Sequence, residues 1–292
     1  MGRTSADWRD IRHRIEAAAA LGVLRGVQHL PYARRIPLFG RFFARTIAPL
    51  IGYRGRIDRN LRLIYPGMPA SDRRQIARDV LDNLGRGFAE TFAGADFVAH
   101  VRNTPITGEG VAVLNRARQD GRPAVIVTGH IGNFYAPMIA LRQQGFLTGV
   151  LYRPASNRHF NAAYVEMLQM HGHVLFPRNR AGISGMVSHL RQGGVLGIAL
   201  DQRIDGAPKL DFMGQPARTA LSAAELALKF DAPLMPGYGL RAADGLGFHA
   251  TLEAPVLPAG PEAMTQALND SLSAMVHAHK GQWMWTHNRW RD

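Results

Sequence analysis

The sequence predicts an α/β fold, with a mostly parallel or mixed central sheet flanked by helices and a helical amphipathic region before it. Three observations predict it. From about residue 104, apolar β-branched runs alternate with helix-compatible stretches. The first such unit, Val125-Ile126-Val127 leading through Thr128-Gly129 to His130 and a Gly132-Asn133 corner, reads as strand, turn and helix. Upstream, residues 15–53 carry apolar and aromatic side chains at helical spacing, interrupted by arginines.

Taken in order, Ile36, Phe39, Phe42, Phe43, Ile47 and Leu50 share one helical face while Arg41 and Arg45 repeat at i, i+4. Such a segment suits an interfacial helix on an anionic membrane, or a core helix with snorkelling arginines. A short helix ends at Pro66. A longer one follows Pro69, with Ser71 as its expected N-cap and Ile76, Val80, Leu84, Phe88 and Phe92 as an apolar stripe read as core. Pro105, Gly108 and Gly110 mark a turn-rich boundary. Beyond the opening unit, strands are expected at 147–152, 174–176, 194–200, 233–240 and 248–253, and helices at 158–171, 183–191, 219–230 and 262–279. The chain is accordingly divided into 1–56, 57–103 and 104–292.

Composition narrows the function classes. The chain has 292 residues, 46% hydrophobic, enough for a substantial core. It has no cysteine, which excludes disulfides and thiolate metal sites. The net charge of +13 is carried almost wholly by arginine, Lys209, Lys229 and Lys280 being the lysines. Arginine pairs phosphate and carboxylate bidentately, so an anionic or acidic partner is favoured. Nucleic acid is not expected, because charge alone points to it and no binding module accompanies the charge. Neither a secretory signal nor an apolar run of about 18 residues is present.

Candidate chemistry gathers at strand ends. His130 follows the first strand, where a general base is useful and where a structural hydrogen-bonder is also common. The run at 194–200 delivers Asp201, Gln202 and Arg203 at its end. Between them in sequence lie Arg153, Asn157, Arg158, Arg178 and Arg180, either an anion-binding cluster or a solvated basic face. Several templates fail: there is no G-x-S-x-G elbow, no G-x-G-x-x-G after a strand and no Walker A sequence. His171 and His173 lack spaced partners for a metal, and no cofactor is implied.

From residue 57 to 290 the chain resembles the late acyltransferases of lipid A biosynthesis, the lauroyl and myristoyl acyltransferases of the lysophospholipid acyltransferase superfamily. The resemblance is carried, in order, by NLRLIYPGMP at 60–69, DNLGRGFAE at 82–90, TGHIGNFY at 128–135, YRPASN at 152–157, DQR at 201–203, DFMGQPARTALSAAELALKFDAPLMPGY at 211–238 and WMWTHNRW at 283–290.

The resemblance implies a single acyltransferase-type domain. It also implies acyl transfer from an acyl carrier protein thioester, or acyl-coenzyme A, to a hydroxyl of an anionic glycolipid or phospholipid. The setting it implies is peripheral or monotopic, at the cytoplasmic face of the inner membrane. In the family's H-x-x-x-x-D/E motif the histidine is the base and the acid orients it. His130 matches the histidine, and Tyr135 stands where the acid belongs. Three readings follow: a weakened enzyme, a relocated acid such as Asp201, or a catalytically impaired relative that binds lipid or a partner. An H-x-x-x-x-D from His287 to Asp292 lies outside the motif's context and is taken as coincidence. The expected site is therefore His130, Tyr135 and Asp201 for catalysis, with Asn133, Arg153, Arg178, Arg180 and Gln202 for substrate. The N-terminal aromatics with Met138, Met167 and Met170 are candidate linings for an acyl channel, or simply core.

Overall fold

The computed structural model describes residues 5–291; residues 1–4 of the N-terminal region and Asp292 of the second H-x-x-x-x-D lie outside them. Among the described residues the strands are β1 (Ile106–Thr107), β2 (Ala124–Thr128), β3 (Thr148–Tyr152), β4 (Val174–Pro177), β5 (Val195–Ala199), β6 (Lys209–Phe212), β7 (Gln215–Arg218), β8 (Leu234–Arg241) and β9 (Phe248–Leu252). Seven of them form one sheet in the order β1-β9-β8-β2-β5-β3-β4, while β6 and β7 form a separate hairpin. Neighbours in the large sheet run parallel, except β8 and β9. This is the mixed, mainly parallel α/β fold that the alternation predicts.

β2 is central and buried on both faces, which is why it reads as a continuous apolar run. Ala124 and Ile126 point into one core, shared with the helix Tyr135–Gln143. Val125 and Val127 point into another, covered by the helices Ser222–Lys229 and Pro261–Ala278. A third core joins the N-terminal helices to Trp283 and Trp285 near the chain's end. Among the described residues no helix is long and apolar enough to cross a membrane.

The expected N-terminal face divides. In the helix Tyr32–Phe42 and the π-helical turn Phe43–Ile47, the side chains of Ile36, Phe39 and Phe43 are buried, whereas Phe42, Leu50, Arg41 and Arg45 are exposed. The buried members pack on the helix Ala70–Thr91, where Gly40 and Gly85 meet so closely that a Cβ on Gly85 would lie 2.6 Å from the Phe43 Cβ.

That second helix also corrects two expectations. It begins at Ala70 after Pro69, and the Ser71 hydroxyl donates to Asp72 instead of capping. Its stripe is only partly core: Val80 and Phe92 are buried, but Phe88 is 38% exposed. Val80, Leu84 and Phe88 line a cavity, which is why they are apolar without being fully covered.

Candidate active site

Strand register builds the centre of the site. β2 and β5 are parallel neighbours with Thr128 opposite Ala199, so His130 and Asp201, each two residues further on, emerge side by side at the carboxyl edge. The His130 ring Nδ1 lies 2.6 Å from Asp201 Oδ1, and the His130 backbone N–H donates to Oδ2 at 2.6 Å. The indole N–H of Trp283 donates to the same Oδ2 at 2.8 Å. Three donors thus converge on one carboxylate whose side chain is 1% exposed. Gly129 permits the approach, since a Cβ there would press on Leu272 and on Asp201.

The electrostatics follow from this packing. Burial alone would push the Asp201 carboxyl up, but the His130 charge and hydrogen bonds outweigh it and hold the group well below the usual carboxylate range. Burial likewise opposes charging of the imidazole, yet Asp201 prevails and raises the His130 pKa above its ordinary value. An ionised carboxylate only accepts, so Nδ1 carries the proton and Nε2 is the basic nitrogen. The ring keeps contact with solvent, its side chain being 17% exposed.

The turn after His130 is held from several directions. Gly132 adopts a left-handed φ of +58, and a Cβ on it would lie 2.1 Å from the Gly239 carbonyl oxygen, so glycine is required. The chain's last segment adds an antiparallel bridge between Ile131 and Trp283, with Met284 N–H donating to the His130 carbonyl at 2.9 Å. Asn133 is buried: its amide donates to Glu90 at 2.7 Å and its carbonyl oxygen accepts the Tyr135 N–H at 3.0 Å. Glu90, fully buried, is in turn clasped by both terminal nitrogens of Arg241, one at 2.8 Å. Asn83 accepts from Arg241 and donates to the Gly132 carbonyl. Asn133, expected to meet substrate, uses its amide and carbonyl oxygen to fix this turn and also lines the cavity beside His130.

Sequence reasoning missed Glu90, Arg241, Asn83 and Trp283. The signal for the first and third was present: Asn83, Gly87 and Glu90 fall at i, i+4, i+7, a polar and small line beside an apolar stripe.

Tyr135 does not reach the imidazole nitrogen. It is buried on the first turn of the helix Tyr135–Gln143, and its hydroxyl pairs with the Tyr164 hydroxyl at 2.9 Å. The intervening Phe134 ring packs on both, 4.8 Å from His130 and 4.3 Å from Tyr135. Burial and Tyr164 push the Tyr135 hydroxyl well above its ordinary pKa, so it stays neutral. Both tyrosines instead line an apolar cavity of about 330 Å³ that begins at His130, Gly132, Asn133 and Trp283. The methionines are elsewhere: Met138 packs under Gly197 of β5, and Met167 and Met170 pack against Gly94. Met138 is core, Met167 is half-buried and Met170 is 48% exposed; none of the three lines the cavity.

Polar groups collect on the other side of His130. The Gln202 amide nitrogen stands 3.4 Å from Nε2, and the His287 ring lies 6.1 Å from the His130 ring. Burial lowers the His287 pKa to about 4, with the charges of His130, Arg289 and Arg153 adding to it, while Asp201 opposes; Arg153 itself is exposed, one residue beyond β3. Arg178 and Arg180 do not join them. They follow edge strand β4, three strand spacings from β2, or about 14 Å at the usual separation. Arg180, itself exposed, opens the helix Arg180–Arg191, which begins three residues earlier than expected because Asn179 caps it.

A histidine held by a buried carboxylate, between an apolar cavity and a polar rim, is a geometry suited to acyl transfer. The comparisons with known proteins point the same way. A phosphatidylinositol mannoside acyltransferase of Mycobacterium tuberculosis strain H37Rv is 24% identical over 295 residues, covering 99% of this chain and 89% of that protein. The protein of the same name from strain CDC 1551 aligns to the same extent. The description of the bacterial lipid A biosynthesis acyltransferases matches residues 8–292, nearly the whole chain, and the chain belongs to that family.

Proposed function

We propose that the protein transfers a fatty acyl group from a thioester donor, an acyl carrier protein or coenzyme A, to a hydroxyl of an anionic glycolipid. His130 is the general base and Asp201 its positioning acid. The observation that carries this reading is the bond between the His130 ring Nδ1 and the Asp201 carboxylate, which leaves Nε2 as the basic nitrogen at the edge of the cavity, beside the Gln202 amide. Nε2 takes the proton of the acceptor hydroxyl as its oxygen attacks the thioester carbonyl. The resulting tetrahedral intermediate expels the thiolate by breaking the C–S bond, and the imidazolium returns the proton to sulfur. Asp201 fixes the tautomer and stabilises the imidazolium between the two steps.

The family description names lipid A, and the mycobacterial relative's name specifies a phosphatidylinositol mannoside. Both are phosphorylated glycolipids, which suits an arginine-rich chain; in this reading Gln202, beside His130, and Arg153 meet the acceptor. The exposed Leu38, Phe42, Leu50 and Ile51 with Arg41 and Arg45 support a membrane-facing role for the region 1–56, at the inner membrane's cytoplasmic face as the family resemblance implies. The alternative, a catalytically impaired relative that only binds lipid or a partner, rests on Tyr135. Asp201 weakens it, because a carboxylate does stand at the imidazole. Transfer of radiolabelled acyl groups from carrier-protein thioester to a lipid A precursor decides between them. Transfer that His130→Ala abolishes supports the enzyme; a parent protein no faster than that variant overturns it.

A further inference from the structure

The cavity beside His130 is open at one end and closed at the other. Phe88 both lines it and reaches solvent, whereas Tyr135, buried, and Tyr164, half-buried, line it on the side of the core. Their hydroxyls satisfy one another at 2.9 Å, so the wall they form offers ring surface and no unpaired polar group. Behind Tyr135 stands the fully buried ring of His171, 5.5 Å away centre to centre, and no further room follows. We infer that the Tyr135–Tyr164 pair is the end stop for the donor's acyl chain and sets the length transferred, an inference that rests on the function proposed above.

The occupant follows from where the reacting group must lie. A donor chain begins at the carbonyl that His130's partner attacks, so with that carbon beside His130 its tail runs into the apolar cavity. The acceptor brings hydroxyls and phosphate, which match the polar side of His130, where the Gln202 amide stands 3.4 Å from Nε2. A volume of about 330 Å³, at roughly the 30 Å³ that one liquid water occupies per methylene, holds a chain of about eleven carbons. Tyrosine in the family's acid position has thus exchanged a catalytic group for a packing one, with Asp201 holding the imidazole.

A second residue tests the same cavity from its wall. Gly87 lies on the helix Ala70–Thr91 and lines the cavity, and a Cβ built on it meets nothing within 4 Å. A larger side chain there projects into the space an acyl tail would fill and replaces a poor helix former.

The experiment compares saturated acyl-carrier-protein thioesters from about eight to about eighteen carbons, with a lipid A precursor as fixed acceptor, since one methylene in an apolar pocket changes kcat/KM by about tenfold or more. The parent protein is expected to peak at ten to twelve carbons, by the same estimate of about 30 Å³ per methylene. Tyr135→Ala deletes the phenol and moves the peak up by about three carbons. Gly87→Leu moves it down by at least about two, and raises the preference for short over long donors by tenfold or more. Should Tyr135→Ala fail to fold, Gly87→Leu stands alone, because it disturbs no packed neighbour. A folded Gly87→Leu variant with the parent's chain-length profile overturns the inference. So does a shift that follows the acceptor's own tails when the donor is held fixed. A parent protein that transfers no chain at all removes the proposed function itself, a separate result.

Discussion

Asp201 holds His130 at two points, its ring nitrogen and its own backbone N–H, each at 2.6 Å. The double attachment fixes where the ring sits as well as which nitrogen is protonated. Asp201→Asn retains a similar shape but loses the charge, and turnover is expected to fall by about 10²–10⁴. In the proposed mechanism the base works as neutral imidazole, and the carboxylate raises its pKa, so activity is expected to be lost as pH falls through that raised value. In Asp201→Asn the acidic limb of the pH–kcat/KM profile therefore moves to lower pH while the plateau drops. A profile that only drops, with its limb unmoved, would show that the carboxylate does not act on His130.

Restoring the family's acid at Tyr135 is expected to give no benefit. The side chain is buried against Phe134, Tyr164 and His171, far from Nδ1, and a carboxylate there loses its hydration with no cation to meet it. Tyr135→Glu should lower the urea midpoint by several kcal/mol equivalent and leave turnover at or below the parent level. Urea titration with parallel acyl-transfer assays checks both.

The Glu90–Arg241 pair is expected to be a stability determinant whose loss reaches the site. Removing either partner leaves the other charge buried and unpaired, at a cost of about 3–5 kcal/mol. Asn133 loses its Glu90 contact in Glu90→Ala, and the turn after His130 loosens. Equilibrium unfolding of Glu90→Ala, Arg241→Ala and the double variant should show coupling of more than about 1 kcal/mol, since the double variant leaves no orphaned charge.

His171 and His173 make the fold acid-sensitive. Both are buried, and burial lowers their folded pKa values to about 4 and about 3. The unfolded chain binds their protons near pH 6.5 and the folded chain does not, so stability present above pH 6.5 is lost as pH falls toward 4. Two groups over two pH units amount to about 5 kcal/mol at pH 4.5. Urea midpoints measured from pH 7 to 4.5 test this. His173→Asn should lessen the slope by one proton's share, and an unchanged slope would refute the assignment.

The strands that carry the centre were legible because buried parallel strands leave an unambiguous apolar run. Val125–Val127 and the 194–200 run pointed directly to His130 and Asp201. Their adjacency entered only as one of three readings, a relocated acid, because β5 is inserted between β2 and β3, out of chain order. The same insertion explains Arg178 and Arg180, which sequence order places between the two catalytic strands and space places at the far edge. The hairpin β6–β7 went unread because Met213, a non-glycine at φ +58, sits at its turn, followed by Gly214 at φ +77. Glu90 and Arg241 lie 151 residues apart, and no local pattern links them.

Trp283, which closes over Asp201, lies 82 residues beyond it in the chain. Without that indole in place the carboxylate is wetted and its pull on the imidazole is damped by water. Packing of the tryptophan-rich segment at 283–290 is therefore coupled to the field at His130, so a change that loosens Trp283 is expected to act on the imidazole from a distance along the chain.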